Sequence, residues 1–238
     1  MPPSLTGPAA LPAPRGRGRP PVASRAQRLD TLFDGAHALL QAGEYGNFTI
    51  EAVAKSAGMA RKTVYTLVGS KEELIQGLIL REGAKLVGLL GTDTHTEQGV
   101  LDQLRAYLAM WAQLALAPAG LGMYLMAVAQ RDSLPALAHS YEGQGMAYAE
   151  AVLHAWLARP SVRAVFAIDD LAQAIDLIGA VLIAQPLRRA ALGLARQLTD
   201  EDIDALVAAT LDTFVRCYGK RTSQPRRSVM DGAPPAPC

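Results

Sequence analysis

The chain has 238 residues, 50% of them apolar and only 5% aromatic, and its 23 Lys and Arg against 22 Asp and Glu leave a net charge of +1. That length buries a sizeable core in one or two domains, and a composition dominated by Ala and Leu favours an all-helical fold. Near-neutrality excludes a uniformly basic coat, so affinity for nucleic acid has to come from a local surface, and the two cysteines, Cys217 and Cys238, point away from a disulfide framework or thiolate metal site and fit a reducing cytosol.

Residues 1–23 are rich in Pro, Gly, Ala and Arg and contain nothing that builds a core, so they are expected to be a disordered basic tail. No apolar signal region follows the N-terminus. Arg15, Arg17 and Arg19 alternate with Gly16 and Gly18 ahead of Pro20 and Pro21. The run is similar to an AT-hook core. Its glycines let an extended backbone enter a narrow minor groove, and its arginines follow the negative potential there. Arg17 and Arg19 are therefore candidate DNA contacts.

Ser24 is placed to cap a first helix from about Arg25 to Ala42, with Leu29, Leu32, Phe33, Ala36, Leu39 and Leu40 as its apolar stripe and Gly43 as its stop. The stretch from Phe48 to Leu74 then reads as three short helices. Thr49 is an N-cap, and Ile50, Val53 and Ala54 follow at helical spacing. Gly58 stops the first, Val64, Leu67 and Val68 stripe the second, and Gly69 stops that. Ser70 caps the third, with Glu73 at capping-box spacing. Two helices joined by a tight glycine turn make a helix-turn-helix. Arg61, Lys62, Thr63, Tyr65 and Thr66 occupy the polar side of its second helix, where no residue is acidic and all can donate to phosphates or base edges.

This stretch resembles the DNA-binding motif of TetR-family transcriptional regulators, which runs roughly T-x-x-x-I/V-A-x-x-A-G-V-S-x-x-T-L/V-Y-x-H/Y-F-x-S/N-K-E-x-L. Thr49, Val53, Ala54, Ala57, Gly58, Thr63, Val64, Tyr65, Ser70, Lys71, Glu72 and Leu74 stand at the matching places. Ala60 departs from the usual Ser, removing a capping hydroxyl, and Leu67 and Val68 replace His or Tyr followed by Phe. The resemblance implies a double-stranded DNA operator as partner, with phosphate contacts from Thr49, Tyr65 and Lys71. It also implies a homodimer and a small-molecule effector whose binding releases the protein from DNA. Arg61, Lys62, Thr63 and Thr66 are the expected readers of the major groove.

A fourth helix starts at Lys71 and is expected to reach Leu90, with Leu74, Leu78, Leu86 and Leu89 inward and a domain boundary between about Ala84 and Gly91. The remainder reads as helices at about 97–116, 118–130, 135–158, 169–192 and 199–218. Gly143 and Gly145 mark a bend or close approach in the third of these, and Arg159 with Pro160 ends it. The most apolar run, Leu177 to Ala184, is short against the about 20 residues that span a bilayer. The expected architecture is all-α, with about nine helices. A basic tail (1–23) precedes a three-helix helix-turn-helix domain (24–86). A larger ligand-binding and dimerisation domain (87–219) and a second disordered tail (220–238) follow. The expected location is the cytoplasm, with no membrane partner.

By the resemblance, the effector pocket lies between the fourth and eighth helices. Tyr107, Trp111, Met123, Met126, Tyr141, Met146 and Tyr148 concentrate there, as adaptable apolar and aromatic side chains suited to a cavity, with Gln130, Arg131, His139 and Glu142 as polar candidates. The last two helices are expected to pair with a second copy through Ile175, Ile178, Leu182, Val207, Leu211 and Phe214. No G-x-S-x-G, H-E-x-x-H or P-loop is present. His37, His95, His139 and His154 form no i,i+4 pair for a metal. No catalytic group, metal or cofactor is therefore expected. The competing reading is a helical ligand-binding or enzymatic protein with a vestigial helix-turn-helix.

Overall fold

All but one of the helices start at a side chain able to satisfy a free N–H group or at a proline that lacks one. The computed structural model describes residues 24–220. The arginine-glycine run with Arg17 and Arg19, and the tail from 221, lie outside the described residues. Ser24 and Gln27 form a full capping box at α1 (Arg25–Gln41), and Thr49 accepts from Ala52 N at α2 (Ile50–Ser56). The next helix, α3 (Arg61–Val68), starts at Ala60 with no capping side chain, and α4 (Lys71–Val87) starts where Ser70 Oγ accepts from Glu73 N at 3.1 Å. Thr96 caps α5 (Glu97–Leu116), while Pro118 opens α6 (Pro118–Ala129), which leaves α5 at a 55° bend. Pro135 opens α7 (135–157), Pro160 opens α8 (Pro160–Val165), Asp170 caps α9 (Leu171–Ala191), and Thr199 with Asp202 boxes the start of α10 (Asp200–Tyr218).

Among the described residues, twelve α-helical segments thus merge into ten helices, because π-type turns at Tyr141–Met146 and Ala180–Ala184 carry α7 and α9 through without a break. One more helix exists than the spacing predicts. Pro160 does not merely stop α7: at the first position of α8 its missing N–H costs nothing. The end of α8 is tied to the end of α10, where Ala167 N donates to Tyr218 O at 2.7 Å and Lys220 N to Val165 O at 2.9 Å.

Apolar side chains gather in two clusters. Leu32, Ala36 and Leu40 of α1 meet Val53, Val64, Leu74 and Leu78 around the helix-turn-helix, and Met123, Met126 and Ala127 of α6 join them. The second cluster holds Leu104, Tyr107, Leu108 and Trp111 of α5, Leu153 and Trp156 of α7, and the inner faces of α9 and α10. Burying a Leu or Ile fully stabilises by about 1.5–3 kcal/mol, so both clusters are substantial. α4 belongs to both: Leu74, Ile75, Leu78 and Ile79 sit in the first, Leu86 in the second.

The apolar run at 177–184 is part of a longer element. α9 is a continuous 21-residue helix, long and apolar enough to cross a membrane by length and composition, with only 33% of its most apolar stretch buried. Its inner residues Ala174, Ile175, Ile178, Leu182, Ile183 and Leu187 pack into the second cluster.

Gly58, with φ +63°, makes the turn between α2 and α3, and Met59 N donates back to Ala54 O at 2.8 Å. Gly35 has a different task. A Cβ there would stand 2.8 Å from Ala57 N, so α1 and the end of α2 touch backbone to backbone, and Ser56 Oγ donates to Gly35 O at 3.0 Å. Propensity alone would make Gly35→Ala stabilising by about 1 kcal/mol. Overpacking of about 1–3 kcal/mol acts in the opposite direction. The expected result is a net loss, read as a melting temperature several degrees lower; a rise would show that α1 and α2 can separate freely.

Candidate nucleic-acid interface and ligand cavity

The apolar side of α3 is spent on the core: Val64, Leu67 and Val68 are buried, which turns Arg61, Lys62, Tyr65 and Thr66 outward. Thr63 is half-buried at the edge, and Thr49 is exposed at the start of α2. Arg61 is held in place on this surface. Its Nη1 pairs with Glu51 Oε1 at 2.7 Å, Nη2 donates to Tyr65 Oη at 3.3 Å, and the guanidinium lies 5.4 Å from the Tyr65 ring centre. The side chains of Arg61 and Glu51 are 60% and 53% exposed, so water and salt screen the pair and a stronger anion can displace Glu51. Arg25 Nη2 donates to Leu67 O at 3.0 Å, which brings the start of α1 to the C-terminal end of α3.

Lys71 differs from the other cations. It is half-buried, and its Nζ donates to Gln130 Oε1 at 3.1 Å, fifty-nine residues away at the C-terminal end of α6. Burial lowers its pKa from the ordinary lysine value. The contact joins the first turn of α4 to the far end of α6.

A largely apolar cavity of about 100 Å³ lies where the two clusters meet. α1 contributes His37 and Leu40, α4 contributes Leu78, Ile79 and Glu82, α5 Trp111, α6 Ala119 and Met123, and the π turn of α7 Tyr141, Gly145 and Met146. Four of the seven apolar and aromatic residues expected at a pocket, Trp111, Met123, Tyr141 and Met146, therefore line one cavity. The other three do not. Tyr107 is fully buried in the core, its hydroxyl donating to Ala149 O at 2.6 Å; Met126 is buried around the helix-turn-helix; Tyr148 is 38% exposed. Burial raises the pKa of both Tyr107 and Tyr141 above the ordinary phenol value, so each stays neutral.

None of the four polar candidates reaches the cavity. Gln130 holds Lys71, Arg131 pairs with Asp132, His139 Nδ1 contacts Pro135 O at 2.8 Å, and Glu142 is exposed. The polar groups on the wall are His37, Glu82 and Tyr141. Glu82 had a signal in the sequence: it stands between Leu78 and Leu86 at i,i+4 spacing, a carboxylate in the middle of an inward stripe.

The six residues expected to meet a second copy are all buried within one chain: Ile175 4%, Ile178 1%, Leu182 0%, Val207 1%, Leu211 5% and Phe214 1% exposed. They pack into this chain's own core, with Ile178 and Phe214 also at the floor of a shallow groove. The stripe read from the sequence is the inner one. The outer faces of α9 and α10 instead expose Leu177 and Val181 beside a shallow groove edged by Thr210 and Thr213.

Tyr107 and Trp111, ring centres 6.3 Å apart on one helix, separate by role. Removing the Tyr107 hydroxyl leaves the buried Ala149 carbonyl without that donor, which costs about 1–3 kcal/mol. Tyr107→Phe is therefore expected to lower the denaturant midpoint, and an unchanged midpoint would mean that water replaces the bond.

Residues 32–78 match the model of the tetR family of bacterial regulatory proteins. Residues 102–220, half of the chain, match the C-terminal domain of AefR-like transcriptional repressors. The chain is similar to the HTH-type transcriptional regulator AlkX of Mycobacterium tuberculosis, at 30% identity over 132 residues, which are 55% of this chain and 62% of that relative. Its fold is similar to that of a TetR-family transcriptional regulator from Mesorhizobium loti, with a TM-score of 0.64 and 19% identity over 83% of this chain and 99% of that one. The flavonoid-responsive regulator FrrA gives a TM-score of 0.56 and 23% identity over 82% of this chain and 99% of that one. With family models matching both the helix-turn-helix and the C-terminal half, the chain belongs to the tetR family of bacterial regulatory proteins.

Proposed function

We propose that this protein is a cytoplasmic transcriptional repressor. It binds a palindromic operator as a homodimer and leaves it when a small apolar effector enters the cavity. One observation carries the reading: α3 presents a cationic and hydroxyl-bearing face on one side of α1 and α4, while the cavity is walled by those same two helices. The helix-turn-helix domain over 24–86 supplies DNA contacts, and 87–219 supplies most of the cavity and the dimer surface.

In this reading Arg61, Lys62, Thr63 and Thr66 face base edges in the major groove, and Thr49, Tyr65 and Lys71 contact phosphates. Arg61 exchanges Glu51 for DNA. Lys71 exchanges Gln130 for a phosphate, so its contact with DNA competes with its contact with α6. Arg17 and Arg19 add a minor-groove contact. An effector among Trp111, Met123, Tyr141 and Met146 touches α4 and α6 together, and it shifts the equilibrium only by its differential affinity for the two states.

Selection of bound sequences from random duplex DNA tests the reading. A palindrome is expected, with half-sites about 34–36 Å apart; absence of enrichment sinks the proposal. Lys71→Ala is expected to weaken all sequences alike and to lower the salt slope by about 1, whereas Lys62→Ala relaxes preference at one position. A changed preference with an unchanged salt slope for Lys71→Ala would reverse these roles.

The dimer surface is the outer face of α9 and α10. A helix this apolar with two thirds of its most apolar stretch unburied leaves a face that a second copy can cover. Two-fold symmetry doubles any charge placed there, so Val181→Glu is expected to give a folded monomer by light scattering with weakened operator binding. A variant that stays dimeric at micromolar concentration would place the interface elsewhere.

A further inference from the structure

Among the described residues the cavity wall carries one formal charge, and it is negative. Glu82 lines the cavity, and no described lysine or arginine does. The nearby cations are committed to other partners. Arg81 Nη2 reaches Glu82 Oε1 at 3.4 Å, but its Nη1 donates to Asp34 Oδ1 at 2.8 Å and to Asp30 O at 3.2 Å, and its guanidinium covers the Phe33 ring at 5.5 Å. Lys85 donates to Glu82 Oε2 from a side chain 47% exposed. Summed over Arg81, Lys85, Glu82 and Asp34, the rim is neutral, and its positive ends do not line the cavity.

Glu82 keeps accepting capacity, because an ionised carboxylate offers about four lone-pair sites and these two contacts use one on each oxygen. The other polar groups on the wall, the Tyr141 hydroxyl and the His37 ring, carry no fixed positive charge to receive an anion. A carboxylate brought into this space would lose its hydration, meet Glu82 and find no cation. An O–H or N–H group brought in at the same depth finds an acceptor, and its apolar remainder packs on Trp111, Met123 and Met146.

We propose that the cavity takes an apolar, non-anionic ligand whose polar end, a hydroxyl or an amine, donates a hydrogen bond to Glu82. This rests on reading the cavity as the effector site and adds the charge class of the effector. It makes Glu82 the residue that discriminates between ligands of one shape and different head groups.

Octan-1-ol, octylamine and octanoate share one chain and differ in the head group, and octylamine against octanoate isolates the sign of the charge. Titrated calorimetrically into the full-length protein near neutral pH, octan-1-ol and octylamine are each expected to bind at least about tenfold more tightly than octanoate. Glu82→Gln is expected to close the gap between octylamine and octanoate to within about threefold. Octanoate binding as tightly as octylamine overturns the proposal, as does binding by none of the three. A gap that survives Glu82→Gln removes Glu82 as its cause. Operator release followed in the same titration keeps the two readings apart. Octylamine bound with the expected preference while DNA stays bound would refute the regulatory reading and leave the charge class standing. Octanoate bound preferentially with release of DNA would do the reverse.

Discussion

The structure depends on α4 meeting two cores with one helix. Its first half carries Leu74, Ile75, Leu78 and Ile79 into the cluster around the helix-turn-helix, and its last turn carries Leu86 into the cluster of the C-terminal half. A straight 17-residue helix is about 26 Å long, so the DNA-facing end and the C-terminal core are joined by a rigid element. The one charged residue on the stripe, Glu82, falls where the two clusters meet. Both clusters stop there, and the gap between them is the cavity.

Beside the regular helices α1 and α4, the walls of that gap include one π turn and one bend between two helices. α7 passes the cavity as a π turn at Tyr141–Met146, which brings Tyr141, Gly145 and Met146 to one wall. An extra residue in a helical turn shifts the side chains that follow, and such turns recur at functional sites. α5 and α6 meet at a 55° bend, so α6 lines the cavity near its start and reaches Lys71 at its end through Gln130. In the proposed reading a ligand touching Met123 acts at the middle, and a phosphate drawing Lys71 from Gln130 at the C-terminal end, of the same twelve-residue helix.

The surface around α3 holds two of its cations in different ways. Arg61 rests between Glu51 and Tyr65 in an exposed pair, and Lys71, half-buried, rests on a neutral amide. An exposed pair preorganises a side chain without binding it strongly, which in the proposed reading suits a guanidinium that exchanges one anion for another. With a net charge of only +1 on the whole chain, such local placement carries any attraction to DNA.

Most of the helices, the caps at Ser24, Thr49 and Ser70 and the helix-turn-helix were legible in the sequence because they rest on local chemistry, whereas α8 was not. Each of those three side chains caps its helix, and the 3.6-residue spacing of Val64, Leu67 and Val68 leaves only one outer face for α3. Where residues far apart in the chain come together was not legible. Periodicity finds an apolar stripe but not what covers it: Ile175, Ile178 and Leu182 pack into the core of the same chain, leaving Leu177 and Val181 outside. Tyr107 and Trp111 look alike in sequence, and a four-residue separation on one helix puts one in the core and the other on the cavity wall. The contacts of Lys71 with Gln130 and of Glu82 with the cavity depend on how α4, α6 and α7 cross. The crossings follow from how side chains of several helices fill a common space, a constraint that no single segment of the chain contains.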